Sequence, residues 1–201
     1  MTATTFVPCL LLVDMGIPMI FFTLPAMGIL LVPIILLEAW LCHTMLGLKF
    51  WTSLKANAVS NLASALLGLP VAWFIMLGLE YVTFAALADN PMVHHLVVAE
   101  SPIARVIGTI LSSAWLGPDE KNLYWMIPLA SIILLIPTFL VSVIIERWIV
   151  ARLVALPEES EGNLRSSRVG KAVQNANLVS YGLLLVGTSV WLLLSIARPP
   201  K

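Results

Sequence analysis

The chain has 201 residues, of which 60% are hydrophobic and only 11% are charged, and its mean hydropathy is +0.98. This composition excludes an ordinary soluble globular protein and indicates an integral membrane protein. The 11 basic residues balance the 11 acidic ones, so the charge points to no nucleic-acid partner, and the sequence contains no phosphate-binding Gly loop and no CxxC or HExxH motif.

Four apolar segments are long enough to cross a bilayer, which takes about 20 residues in a helix. They predict an all-α integral membrane protein with four transmembrane helices in a single membrane domain that covers residues 1–201. The apolar stretch before residue 16 either lies in the interface or extends the first helix. The four predicted spans are residues 16–37, 58–79, 124–145 and 172–196.

The charges of the loops predict the orientation. The first and third loops are rich in Lys and Arg, whereas the second loop, about 87–123, holds more acidic than basic residues. Because positive loops stay in the cytoplasm, we expect both termini to be extracytoplasmic, in a bacterial inner or cyanobacterial membrane. Tryptophan and tyrosine fall into two interfacial belts, and Trp73, within the second span, is the exception.

The second loop contains a helix pattern. Ser101 fits a helix N-cap and Pro102 the first helical position. About 15 residues are too few for a span, so we expect an amphipathic extracytoplasmic helix. It either lies on the outer membrane surface or packs on the protein's own spans. Its apolar stripe has helical spacing: Ile103, Val106, Ile107, Ile110, Leu111 and Ala114.

Two phrases of the sequence occur twice. Residues 55–64 read KANAVSNLAS and residues 171–180 read KAVQNANLVS, while LLEAWL at 36–41 is echoed by IIERWI at 144–149. Both halves start and end outside, so the pattern predicts two parallel-repeat hairpins related by a pseudo-twofold axis along the membrane normal. Repeat 1 covers about 16–86, and repeat 2 covers about 124–197.

The matching polar residues predict an intramembrane network. Each glutamate is expected at the inner end of its span, within reach of the asparagine of its own hairpin. A polar group near hydrocarbon costs several kcal/mol without a partner, so such pairing is expected. The predicted network is Glu38, Asn61, Ser64, Glu146, Asn177 and Ser180.

Three interpretations of this network remain open. It locks each hairpin, with Ser60, Ser64 and Gly68 as a small-residue strip for close helix contact. Alternatively, the glutamates form an ion or proton site at the pseudo-twofold axis. Their expected place near water argues against that, because transporters usually bind substrate at mid-membrane. The third interpretation is an interface with another membrane protein.

The sequence contains few residues that could bind a metal or a cofactor. His94 and His95 are adjacent in the outer loop and are the only candidates for a metal or haem site. Adjacent histidines on a helix point in different directions, and no second ligand pair stands out. We therefore expect no metal and no cofactor.

Residues 33–73 carry a family resemblance. PIILLEAW, followed by NAVSNLASALLGLPVAW, resembles the front half of small septal filament-integrity membrane proteins of filamentous cyanobacteria. The resemblance covers less than a quarter of the chain and implies a non-enzymatic role in a cell–cell or envelope assembly. The matching positions are Glu38, Ala39, Asn61, Ser64, Gly68 and Trp73.

The sequence thus favours a non-catalytic accessory or assembly subunit of a larger membrane complex. Its expected partners are the lipid bilayer and other membrane proteins or further copies of itself. The alternative is a small oligomeric transporter or channel that uses the paired glutamates and asparagines. A third hypothesis is a membrane enzyme or redox subunit that uses His94 and His95.

Overall fold

A computed structural model describes residues 17–87, 101–117, 121–154 and 162–197, the last of these with side chains from residue 167 onward. Almost all of these residues are helical. Four stretches are long and apolar enough to cross a membrane, so the chain folds as a multi-pass membrane protein. The helices are α1 (Ile20–Leu46), α2 (Phe50–Ala63), α3 (Leu69–Leu87), α4 (Pro102–Leu111), α5 (Leu123–Leu153) and α6 (Gly162–Ala197).

The helices extend beyond the predicted spans. The first span was expected to end at residue 37, but α1 continues to Leu46, and α5 continues past residue 145 to Leu153. Hydropathy identifies only the part of a helix that is apolar enough for the bilayer. The additional turns of α1 and α5 are stabilised by packing, since Cys42 and Val150 are buried in one apolar cluster. The turn after α1 is tight because Gly47 adopts a left-handed φ of 66° and donates its N–H to the His43 carbonyl.

The second span is interrupted by a π-helical turn, Ser64–Gly68, between α2 and α3. Here the Leu69 N–H donates to the Ser64 carbonyl five residues back. Pro70 follows at once, and it has no N–H to continue the regular ladder. Such single wide turns are often found at functional sites, and this one borders the polar cluster described below.

The two hairpins pack against each other through all their helices. Within each hairpin, α1 contacts α2 and α5 contacts α6; between hairpins, α1 contacts α6, while α2 and α3 contact α5. Many large apolar side chains of the spans point outward; Leu66 and Phe74, for example, are each 63% exposed. The interior between the hairpins is therefore where the buried polar residues meet.

A short strand pairing was not predicted. Strand β1 (Ile17–Pro18) pairs antiparallel with β2 (Trp115–Leu116), and the Met19 N–H donates to the Ala114 carbonyl at 3.0 Å. The described part of the chain is otherwise helical, as predicted for an all-α membrane protein. Two-residue strands have no hydropathy signature, since the pairing depends on segments nearly 100 residues apart in sequence.

Candidate functional site

The structure brings all six residues of the predicted polar network into one cluster where α1, α2, α5 and α6 meet. Glu38 and Asn177 are fully buried. The exposed fractions are 0% for Glu38, 5% for Asn61, 5% for Ser64, 2% for Glu146, 0% for Asn177 and 1% for Ser180.

Each glutamate is bound by the asparagine of its own hairpin. The Asn61 Nδ2 donates to Glu38 Oε2 at 2.7 Å, and the Asn177 Nδ2 donates to Glu146 Oε2 at 2.7 Å. The same amide nitrogens also donate to the carbonyls of Asn57 and Val173 one turn earlier. Because a carbonyl only accepts, this second bond fixes which end of each amide faces its glutamate.

Each glutamate is also bound by a serine of the other hairpin. The Ser64 hydroxyl donates to Glu146 Oε1 at 2.7 Å, and the Ser180 hydroxyl donates to Glu38 Oε1 at 2.5 Å. These serines lie one turn after the asparagines, so one helix face serves both carboxyl groups. The two asparagine bonds therefore connect the helices within each hairpin, and the two serine bonds connect one hairpin to the other.

The two carboxyl groups face each other in the cluster, close enough to interact. No ion pair with Lys or Arg reaches either one in the described part of the chain. Both glutamates are buried in the fold, and helix continues beyond each of them, from Glu38 to Leu46 in α1 and from Glu146 to Leu153 in α5. These continuations of eight and seven residues add about 10–12 Å of helix beyond the pair.

Sequence reasoning missed several polar neighbours of the cluster. Ser142 and Tyr181 join their hydroxyls at 2.8 Å, and the Cys42 thiol donates to Asn57 Oδ1 at 3.7 Å. The sequence did indicate these two neighbours, because Tyr181 directly follows Ser180 and Asn57 lies one helical turn before Asn61. A cavity of about 10 Å³ beside Tyr181 and Glu146 is close to the space that one water requires.

The predicted small-residue strip lies in the interior, but its members do different things. Ser60 is buried and donates to the Asn57 carbonyl, and Ser64 takes part in the cluster. At Gly68, a Cβ atom would lie 3.2 Å from Ile145 Cδ1 and 3.3 Å from Val141 Cγ1. Of the three, Gly68 therefore sets how closely the π-helical turn approaches α5.

A second polar contact lies at the end of the bundle near β1 and β2 and accounts for Trp73. Its indole Nε1–H donates to the Ala114 carbonyl at 2.9 Å, so the ring ties the segment after α4 to the second span. Glu80 accepts from the backbone N–H groups of Ala114 and Trp115. Its Oε2 and the Ser113 hydroxyl are buried without a hydrogen-bond partner among the described residues.

Metal ligands do not gather in the described part of the chain, where no group of three or more His, Cys, Asp and Glu residues could hold an ion. His94 and His95 lie outside the described residues. The hypothesis of a metal or haem site at this pair stays a prediction from sequence.

Comparisons with known proteins found no match: no family model, no curated protein and no solved structure is similar to the chain.

Proposed function

We propose that this protein is a non-catalytic integral membrane subunit, which assembles with other membrane proteins or with further copies of itself. The observation that carries the proposal is the closure of the polar cluster. All four glutamate oxygens are bound from within the chain, and their donors are at most 5% exposed. The surface left for partners is the apolar flank of the helices.

The apolar flank supports assembly within the bilayer. Large side chains with high exposure follow the second span in particular, among them Leu66, Phe74 and Leu79. Lipid covers such a surface in a monomer, and the flank of another helix covers it equally well. The resemblance of residues 33–73 to septal filament-integrity proteins suggests an envelope assembly as the setting.

Extraction from native membranes in mild detergent, followed by native electrophoresis and mass spectrometry, tests the assembly. We expect a band larger than the monomer that contains either other membrane proteins or several copies of the chain. A band of the monomer alone, obtained across detergents and after crosslinking in intact membranes, would contradict the proposal.

The two hairpins are parallel repeats in this proposal. The reciprocal bonding supports it, because each glutamate takes an asparagine from its own hairpin and a serine from the other. A pseudo-twofold axis along the membrane normal converts one set of bonds into the other. With the loop charges, this arrangement implies cytoplasmic first and third loops and extracytoplasmic termini.

Helix α4 is an amphipathic helix on the outer membrane surface in this proposal. Ser101 caps it by accepting from the Ala104 N–H, and Ala104 and Thr109 are its buried residues. Four residues of the predicted apolar stripe remain exposed, and lipid at the interface would cover them. They are Ile103 at 71%, Val106 at 41%, Ile107 at 36% and Ile110 at 38%.

One observation favours a second candidate, a small oligomeric transporter or channel. The contact of two buried carboxyl groups without a cationic partner is unusual inside a membrane protein, where ionisable residues often mark an ion pathway. In that case, changing both Glu38 and Glu146 to Gln abolishes ion flux in proteoliposomes without unfolding the bundle. Unchanged flux in the double variant would exclude this candidate.

A further inference from the structure

The polar cluster contains more hydrogen-bond acceptors than hydrogens. The Ser64 hydroxyl lies 2.7 Å from Glu146 Oε1 and 3.1 Å from the Asn61 carbonyl. Ser180 repeats this arrangement with Glu38 Oε1 at 2.5 Å and the Asn177 carbonyl at 3.1 Å. A hydroxyl has one hydrogen, so each serine faces two acceptors and can donate to only one of them at a time.

The asparagines cannot supply the missing hydrogens. Each Nδ2 has two, and each already donates one to a glutamate and one to a backbone carbonyl. The contact between the two carboxyl groups requires another hydrogen, and the Asn177 Oδ1 is buried with no donor among the described residues. Asn177 is 0% exposed, so bulk water does not supply it.

Charge leads to the same conclusion as the hydrogen count. Among the described residues, the titratable groups that face the pair are the Cys42 thiol from α1 and the Tyr181 phenol from α6. The neutral Asn61 comes from α2 and the neutral Ser64 from the π-helical turn. Arg147 on α5 lies with its guanidinium against Gly170. Two adjacent buried carboxylates with no cation repel each other, and a proton bound between them removes that repulsion.

We propose that Glu38 and Glu146 form a proton-binding site, which holds at least one proton shared between the two carboxyl groups at neutral pH. A protonated carboxyl oxygen donates to the other glutamate or to a serine. That serine is then free to donate to its backbone carbonyl. The bound proton therefore joins the two hairpins, and it does so whether the bundle serves in assembly or in transport.

Infrared spectroscopy of the purified protein in lipid tests the proposal directly. At neutral pH, we expect a carbonyl stretch of a protonated carboxyl group, which shifts in D₂O. All spectra are recorded in a Glu80→Gln background, because the Glu80 Oε2 is also buried without a hydrogen-bond partner among the described residues. In that background, Glu38→Gln and Glu146→Gln should each weaken the band, whereas the control Asp119→Asn in the second loop should not. A spectrum with only ionised carboxylates overturns the proposal. A band that neither variant changes, or that only one of them changes, overturns a shared proton.

A metal cation is the competing occupant of the same oxygens. The spectra are therefore repeated in sodium and in potassium buffers. If the pair binds a proton, the infrared band persists in both buffers. Loss of the band in either buffer shows that the pair binds that metal cation instead of the proton.

If both variants fail to fold, the Glu80→Gln protein still decides the question, because it keeps the pair and removes the other glutamate with a buried, unpartnered oxygen. The folded state binds a proton that the unfolded chain has lost at neutral pH, so the thermal midpoint should fall as the pH rises from about 6 to about 8. The Tyr181 phenol ordinarily titrates above this interval, as does the greater part of the Cys42 thiol. A midpoint that is constant or rises over this interval contradicts the proposal.

Discussion

Asn61 shows how much one buried amide contributes at the centre of a membrane bundle. It connects the α1 carboxyl group to α2 and, through the Asn57 carbonyl, fixes its own orientation. Asn61→Ala leaves Glu38 Oε2 without a donor, which costs about 1–3 kcal/mol when the acceptor is buried. We expect the thermal midpoint in detergent to fall accordingly.

The neighbouring residue provides the control for this prediction. Leu62 is next in sequence but is 49% exposed on the outer face of α2. Leu62→Ala should change stability by no more than about 0.5 kcal/mol, as is usual for surface positions. Equal losses in the two variants would show that helix α2 tolerates neither change and that the amide has no special role.

Trp73 connects the second span to the segment between α4 and β2. Trp73→Phe keeps a large ring but loses the hydrogen bond to the Ala114 carbonyl. A bond of this kind contributes about 1 kcal/mol. We expect faster amide hydrogen exchange at residues 112–116, measured by mass spectrometry. Trp51→Phe is the control, since Trp51 is 70% exposed, and faster exchange in both variants would contradict the prediction.

At the scale of elements, the contact between the π-helical turn and α5 depends on the absence of a side chain at Gly68. A Cβ atom at position 68 would already lie only 3.2 Å from Ile145 and 3.3 Å from Val141. Gly68→Leu adds three further carbon atoms, which would clash with these two side chains. Overpacking of this kind costs about 1–3 kcal/mol. We expect a lower thermal midpoint and a weakened contact between the hairpins.

Gly78 is the matched control for Gly68. It lies on α3 of the same span, and a Cβ there meets nothing within 4 Å. Gly78→Leu should leave stability unchanged or raise it, because glycine is a poor helix former by about 1 kcal/mol. If both variants lose stability equally, the loss reflects the helix and not its packing.

Helix α4 yields a prediction about its surroundings. A fluorophore on Ile103→Cys should report an apolar environment in liposomes, and one on Arg105→Cys should report water, although both positions are exposed in the fold. The background is Cys9→Ser, and the native Cys42 is buried. Two aqueous signals would place α4 away from the lipid.

At the scale of the whole molecule, orientation is open to direct test. In the same Cys9→Ser background, a membrane-impermeant thiol reagent applied from outside should label Gly117→Cys and leave Lys49→Cys unlabelled until the membrane is opened. Both positions are exposed in the fold, so burial does not confuse the result. The reverse pattern would place the first loop outside and invert the proposed topology.

The sequence predicted some levels of this structure and not others. Four apolar helices follow from hydropathy alone and are confirmed. The pairs of Glu38 with Asn61 and of Glu146 with Asn177 lie within hairpins, where a short loop makes helix ends neighbours. The bonds of Ser64 and Ser180 span 82 and 142 residues, and nothing local indicates which carboxyl group each hydroxyl reaches.

The π-helical turn occurs in the second span and has no counterpart in α6. It holds one residue more than a regular turn, whereas α6 runs as an unbroken helix through the corresponding stretch after Ser180. If the same residues, with Ala65 kept, formed a regular helix instead of the wide turn, α3 would be rotated by about 100° relative to α2. Trp73 and Glu80 would then turn away from the Ala114–Trp115 backbone, while Asn61 kept its place. The wide turn therefore aligns the end of the bundle near β1 and β2 independently of its polar centre.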